Sequence, residues 1–149
     1  MLDFQFLGTS AGIPTKTRNV TALAIGQTAS KSWLLVDCGE ATQQQILQTP
    51  WSANTLSAIC ITHVHGDHCY GLPGMLASAG LNKRTQPLTL IAPLPLWQWL
   101  QHTIALTDLY LSFELQFVDV TTLLTQSHIV DGFEISAVAL NHRVPSYAY

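Results

Sequence analysis

His63, His65, Asp67 and His68 fall within six residues as H-x-H-x-D-H, directly after the apolar run 58–61. Neutral imidazole nitrogens beside an anionic carboxylate form a donor set that suits a divalent metal, and desolvating so many polar groups without such a partner is costly. Histidines at 63 and 65 can face one position on the loop. Gly66 then lets the backbone turn so that Asp67 and His68 face a second, and the cluster is read as a site for two metal ions. Zinc suits these donors, and manganese or iron does so as well. A pair of such ions lowers the pKa of bound water from about 15.7 toward about 7 and offsets charge building on a phosphoryl group, which is the chemistry of hydrolysis.

Those side chains need a rigid support. The short apolar run 58–61 predicts a buried strand, so the cluster sits at a strand's C-terminal exit and stays open to substrate. A helix over 71–79 is expected just beyond. Upstream, Leu2, Phe4 and Phe6 alternate with Asp3 and Gln5, the period of a strand with one buried face, before a loop over 8–12. Residues 21–25 and 33–36 read as two more strands joined by a polar turn, which completes an antiparallel meander. Asp37, Cys38 and Gly39 end the third strand, and a helix is expected over 40–48 with Ile46 and Leu47 facing inward until Pro50 stops it. Further strands are expected over 88–91, 113–118 and 133–140, the last delivering Asn141 and His142. A helix over 95–106 carries Leu96, Trp99, Leu100 and Thr103 at helical spacing, and Trp97 and Trp99 are assigned to core or interface.

The 149 residues suit one α/β domain, and 48% hydrophobic content suffices for a substantial core. Charged residues make up only 10%, against about 25% in an average soluble domain, so some apolar surface is expected to meet further polypeptide. The net charge of -3 gives no general attraction to nucleic acid. The basic residues nevertheless cluster, Lys16 with Arg18, Lys83 with Arg84, and Arg143 after His142, which allows a local positive rim. Cys38, Cys60 and Cys69 lack paired spacing and read as buried reduced thiols. His102 and His128 match no pattern and are expected to be exposed. Without a secretory-type start or a long unbroken apolar segment, the sequence reads as a soluble cytoplasmic protein with no membrane partner.

The H-x-H-x-D-H cluster resembles the signature of the metallo-β-lactamase superfamily, whose members hydrolyse esters, lactams, thioesters and phosphodiesters. Other segments narrow the resemblance. F-L-G-T-S-A-G-I-P at 6–14, continuing as P-x-K-x-R-N at 14–19, resembles the N-terminal loop of the ribonuclease Z family, endonucleases that trim the 3′ end of precursor transfer RNA. D-C-G-E-A-T-Q at 37–43 resembles that family's next motif, with Ala41 where a glycine is usual. T-H-V-H-G-D-H at 62–68 with G-L-P-G at 71–74 is similar to the third, and N-H-R-V-P-S-Y-A-Y at 141–149 is similar to the next ligand segment.

The resemblance implies His63, His65 and His142 as ligands of one zinc, Asp67 and His68 as ligands of the other, and Asp67 also as general base. It implies Asp37 as support behind the ligand loop, and Lys16, Arg18 and Asn19 as contacts to the RNA end near the cleaved bond. The implied fold is a four-layer αβ/βα sandwich, of which this chain resembles the N-terminal sheet-plus-helices half. The implied activity is that of a zinc-dependent endoribonuclease, a phosphodiesterase that removes 3′ trailers from precursor tRNA, with that RNA as partner and a homodimer as the usual assembly. In the family the polypeptide continues, supplying a carboxylate that bridges both metals, two further histidines and an arm that grips transfer RNA. None of these has a matching position here, and residues 1–149 are read as a single domain truncated at its C-terminal end. One sheet covered by helices on a single side would leave an apolar face in water. Two other readings stand beside this one. The first is another hydrolase of the superfamily, such as a thioesterase or lactonase, against which the loop 14–19 argues. The second is a non-catalytic, metal-binding half-domain that associates through its exposed sheet.

Overall fold

In the computed structural model, which describes residues 1–28 and 30–149, strand β1 (Leu2–Gly8) pairs antiparallel with β2 (Ala22–Gln27), and β2 with β3 (Trp33–Val36). From β3 onward the pairing is parallel through β4 (Leu56–Cys60), β5 (Leu88–Ala92) and β6 (Leu115–Asp119), giving one six-stranded sheet in chain order. Each parallel step needs a crossover. Helix α1 (Thr42–Ile46) lies in the first, α2 (Gly66–Cys69) and α3 (Leu72–Leu81) in the second, and α4 (Leu94–Leu106) in the third. Strands β4 and β5 are apolar along most of their length because all their residues are buried, as in parallel sheets covered on both faces.

On the helical face, Leu35, Leu56, Ile59 and Leu90 pack with Ile46, Leu72, Leu76, Leu96 and Leu100. The opposite face is not left bare, which corrects the expectation of one-sided cover. Val120 and Leu123 from a 3-10 turn, with Phe133, Ile135, Ala137 and Tyr147, close over Leu34, Ala58, Cys60 and Ile91. Most of this cover comes from two small hairpins, β7 (His128–Val130) with β8 (Phe133–Ile135) and β9 (Val138–Leu140) with β10 (Ser146–Ala148). It stops short of the sheet's first edge. Phe4 and Phe6, paired with Ile25 and Leu23, remain 61% and 70% exposed. Their alternation marks a strand correctly, but the face expected to be buried is the open one.

Helix α1 is shorter than the expected 40–48, and Leu47 is 84% exposed while Ile46 is buried. Its N-cap Ala41 has φ 60° and ψ 12°, a left-handed conformation that separates Glu40 from the helix. This is the position where the resembling family usually carries glycine. An L side chain in that region costs about 1 kcal/mol, so Ala41→Gly is expected to stabilise the protein by about that amount, read from the urea midpoint. An unchanged or lowered midpoint would contradict strain at Ala41.

The expected strand 133–140 is two strands, broken where buried Ala137 donates its N–H to the Leu123 carbonyl at 3.1 Å. Strand β6 begins at Leu115 rather than at 113, and Phe113 instead lies under the Arg84 guanidinium, 5.4 Å from ring centroid to Cζ. Arg84 does not belong to a positive rim. It is 3% exposed, and its guanidinium donates to the carbonyls of Ala53, Leu56, Gln86 and Pro87. His128 is half-buried within β7 rather than exposed, while His102 is exposed as expected. Trp97 stacks on Phe117 with centroids 4.9 Å apart, and Trp99 packs half-buried against the helical core. The three cysteines are buried and free, and burial pushes the Cys60 and Cys69 thiols up to about 12, so neither is a thiolate at neutral pH. Among the described residues, no helix is long and apolar enough to cross a membrane.

Candidate metal centre

The exits of β3 and β4 are tied together before any histidine is placed. Asp37 donates its N–H to the Cys60 carbonyl at 2.9 Å, and the Asp37 carboxylate is buried. Its Oδ1 accepts the Thr62 N–H at 2.8 Å, its Oδ2 accepts His68 Nδ1–H at 2.7 Å, and Thr62 Oγ1 lies 3.0 Å from both oxygens. An ionised carboxylate only accepts, so the single hydroxyl proton of Thr62 goes to Asp37. Thr62 Oγ1 must then accept the Nδ1–H of His63, 2.9 Å away. One carboxylate thus fixes both His63 and His68 with Nδ1 protonated, which leaves each Nε2 lone pair free for a metal, the arrangement that orients metal-bound histidines generally.

Glycine permits this close packing. A Cβ on Gly39 would lie 2.3 Å from the Asp67 carbonyl oxygen and 2.4 Å from Val20 Cγ2. Cys38 donates its N–H to the His68 carbonyl at 2.8 Å, so the turn after β3 is seated directly on the ligand loop. From the other side, the Gly12 N–H donates to Asp67 Oδ2 at 2.9 Å, which lays the loop after β1 over the same residues. Within that loop Lys16 and Arg18 are exposed. Asn19 is half-buried and donates its side-chain N–H to the Glu40 carbonyl at 2.7 Å, bracing the loop against the turn.

His142 arrives from the far end of the chain on the β9–β10 hairpin. Tyr147 donates its N–H to the Thr62 carbonyl at 2.9 Å, and the Tyr149 hydroxyl donates to the Ile61 carbonyl at 2.8 Å. Both anchors fall on the two residues that precede His63. Donor atoms of His63, His65 and His142 consequently lie within 4.8 Å of one another, close enough that small side-chain adjustments reach the Zn–N distance of about 2.0–2.1 Å. Asp67 and His68 sit alongside, with His68 Nε2 3.3 Å from Asp67 Oδ2 and its ring centroid 4.0 Å from that of His63.

The electrostatics suit a cation. Burial, with the neighbouring His68 and His65, holds His63 below the usual imidazole value, so it is neutral and free to ligate near pH 7. At His68, burial disfavours the charged form, but the hydrogen bond and charge of Asp37, with the charge of Asp67, outweigh it and raise the value. The family resemblance implies a supporting place for Asp37 but gives no role to Thr62. That role depends on a partner 25 positions away and leaves no local signal.

A six-stranded mixed sheet with H-x-H-x-D-H at the exit of its fourth strand defines this α/β chain as a metallo-β-lactamase-fold protein with a candidate metal site. The short form of human tRNase Z (ELAC1) is similar at a TM-score of 0.81 and 30% identity, covering 99% of this chain and 63% of that one. The metallo-β-lactamase fold protein YhfI from Bacillus subtilis, with TM-score 0.75 and 20% identity over 98% of this chain and 56% of its own, bears on the fold alone. The model of the family described as Anti-Pycsar protein Apyc1 matches residues 2–148, and the chain belongs to that family. It is also homologous to the N-terminal half of ribonuclease Z. It is 51% identical over 148 residues to ribonuclease Z of Pseudomonas putida (strain GB-1), covering 99% of this chain and 46% of the relative. The ribonuclease Z of Marinobacter nauticus (strain ATCC 700491 / DSM 11845 / VT8) is 46% identical over 150 residues, with the same shares. The chain thus spans about half the length of the curated relatives it matches.

Proposed function

We propose that this chain is the metal-binding half of a zinc-dependent phosphodiesterase of the ribonuclease Z type, acting on the 3′ end of precursor transfer RNA in the cytoplasm. The observation that carries this reading is the convergence of His63, His65 and His142 at the exit of β4, with Asp67 and His68 beside them. In this reading the three histidines hold one zinc, and Asp67 and His68 hold a second, manganese or iron being chemically acceptable in either place. When bound, the ions supply Lewis acidity and water of lowered pKa at the scissile phosphate.

The chain's own groups do the rest. Asp67 orients the attacking water and takes its proton, while Asp37 and Thr62 keep His63 and His68 in the ligating tautomer. Lys16 and Arg18 receive phosphates near the cleaved bond, and Asn19 holds their loop in place. The bridging carboxylate and further histidines implied by the family have no counterpart among residues 1–149, so the chemistry belongs to an assembled site. The homodimer implied by the resemblance belongs to the same reading.

Zinc is expected to raise the melting temperature and a chelator to lower it again, as for any ligand that binds only the folded state. Absence of both zinc uptake and stabilisation would reject the metal reading. In the assembled site, Lys16→Ala with Arg18→Ala is expected to reduce cleavage of precursor tRNA by about tenfold or more, while hydrolysis of a small phosphodiester by the same zinc-loaded assembly stays within about twofold. Equal losses on both substrates would remove RNA contact from this loop. The family model favours a second reading, an anti-Pycsar role as a cyclic nucleotide phosphodiesterase. Hydrolysis of a cyclic nucleotide without release of a 3′ trailer would select it.

A further inference from the structure

Where β4, β5 and β6 begin, at the end of the sheet away from the histidines, a cavity of about 370 Å³ lies on the side covered by the hairpins. That volume falls within the range of about 300–1,000 Å³ typical of small-molecule sites. Its floor is polar on a face that is otherwise apolar. The register sets Ala58, Thr89 and Gln116 in one row across the three strands, and the next row on the same face is Cys60, Ile91 and Val118. Thr89, only 4% exposed, brings a hydroxyl to the cavity in place of the expected apolar side chain.

A β-bulge adds a second hydroxyl. The pairing of β3 with β4 passes from Trp33 opposite Leu56 to Leu34 opposite Ala58, so Ser57 has no residue facing it on β3. Leu56 belongs to the helical core and Ala58 to the hairpin-side core, although residues two apart on a regular strand share a face, so the bulge re-aims the chain at Ser57. Ser57 lines the cavity at 2% exposure, and its Oγ is buried with no hydrogen-bond partner among the described residues. It precedes the partner of Thr89, which puts the two hydroxyls on adjacent strands about 4.8 Å apart. A buried hydroxyl is costly to leave unpaired, and native structures rarely do so without an occupant beside it.

Charge selects the occupant. Arg84 forms part of the wall at 3% exposure, and among the described residues no carboxylate is in salt-bridge contact with it. Its hydrogen bonds go to four neutral carbonyls, which use four of the five guanidinium N–H donors and leave the positive charge uncompensated. Buried charges are ordinarily paired. Exposed Lys31 adds a second cation at the rim, against the one carboxylate there, that of Asp131. An oxyanion answers both needs, since it accepts the hydroxyl protons and supplies the missing counter-charge. A water molecule answers only the first.

We propose that this cavity binds a phosphate group, with Ser57 and Thr89 donating to its oxygens and the charges of Arg84 and Lys31 holding it. The donors come from two strands and a loop rather than from one plane, which suits a tetrahedral anion better than a flat carboxylate. The site owes nothing to the metal centre and stands or falls apart from it.

Calorimetry and thermal melting of chelator-treated protein read this site alone. Inorganic phosphate is expected to bind with a Kd of about 1 mM or lower and to raise the melting temperature, with sodium chloride at equal ionic strength doing neither and acetate binding at least about tenfold more weakly. Ser57→Ala and Thr89→Val are each expected to weaken phosphate binding by about tenfold, and the same Ser57-dependent binding is expected in zinc-loaded protein. Without phosphate, Ser57→Ala should melt no lower than the parent, because it deletes an unpaired hydroxyl. Two exposed positions test the charge with the core untouched. Lys31→Gln should weaken binding by about twofold or more, and Asp131→Asn, at a turn whose φ of 46° asparagine tolerates, should tighten it by as much. Phenyl phosphate distinguishes the source: affinity equal to that of inorganic phosphate identifies the terminal phosphate of a small molecule, and affinity about tenfold lower identifies the free ion. A phosphate effect no larger than that of chloride, acetate bound as tightly as phosphate, or phosphate affinity unchanged in both Ser57→Ala and Lys31→Gln would each overturn the proposal, the first leaving water as the partner of Ser57.

Discussion

Asp37→Ala is expected to weaken zinc binding by about 10- to 100-fold, although Asp37 is not itself placed as a ligand. The substitution removes the acceptor of the Thr62 N–H, of the Thr62 hydroxyl and of His68 Nδ1–H together. The Thr62 proton is then free to turn toward His63 Nδ1, which moves the ring proton to Nε2 and blocks the lone pair a metal needs. Each buried donor left without a partner also costs about 1–3 kcal/mol, so a lower melting temperature should accompany the loss of affinity. Asp37→Asn separates the two effects. It fills the same volume, but it presents an amide that cannot accept from Thr62 and His68 as two carboxylate oxygens do, so affinity should fall with a smaller change in stability. A competition titration against a chromophoric chelator measures this. Affinity within about threefold of the parent in Asp37→Ala would show that the histidines orient themselves.

Arg84→Leu is expected to destabilise the fold by about 3–5 kcal/mol, a large share of the roughly 5–15 kcal/mol that holds a domain together. The guanidinium joins four backbone carbonyls, those of Ala53, Leu56, Gln86 and Pro87, across the starts of β4 and β5. Leucine matches part of the volume and none of the donors. It also forfeits the contact with the Phe113 ring, itself worth about 0.5–2 kcal/mol. Arg84→Lys should recover little, because one ammonium cannot reproduce the planar fork. The residue lies at the end of the sheet opposite His63, so zinc affinity of the remaining folded protein should be unaltered. A loss below about 1 kcal/mol in urea unfolding would refute the bracing role.

The chemistry-bearing part of this molecule was legible because its signals are short. H-x-H-x-D-H lies in six consecutive residues running from the exit of β4 into α2, and the mostly apolar runs of β4 and β5, interrupted by Ser57 and Thr89, declare strands. Most of the misreadings share a cause, which is that the deciding partner lies far along the chain. Phe133, Ile135, Ala137 and Ala139 keep a strand's alternation straight through the break between β8 and β9, and only the bond from Ala137 to Leu123 interrupts the ladder. Nothing beside Lys83 distinguishes Arg84 from a surface cation, since its carbonyl partners reach back to Ala53. Leu47 is the C-cap of a helix whose buried side is marked by Thr42 and Ile46, and it lies about 100° further round than Ile46, so it faces outward. The alternation of Phe4 and Phe6 identifies a strand, whereas which face becomes covered depends on where the C-terminal hairpins end.

His63 and His142 stand 79 positions apart, yet the last strand is clipped to the very residues that precede His63. An ion shared by those two side chains would act as a rivet, closing most of the second half of the chain into one ring and lowering the entropy that unfolding could regain. Loading of the cation and docking of the terminal strand then become a single cooperative event. The backbone amide of Tyr147, at the seam, is the natural gauge of occupancy: its exchange with deuterated solvent should slow as the ion is taken up.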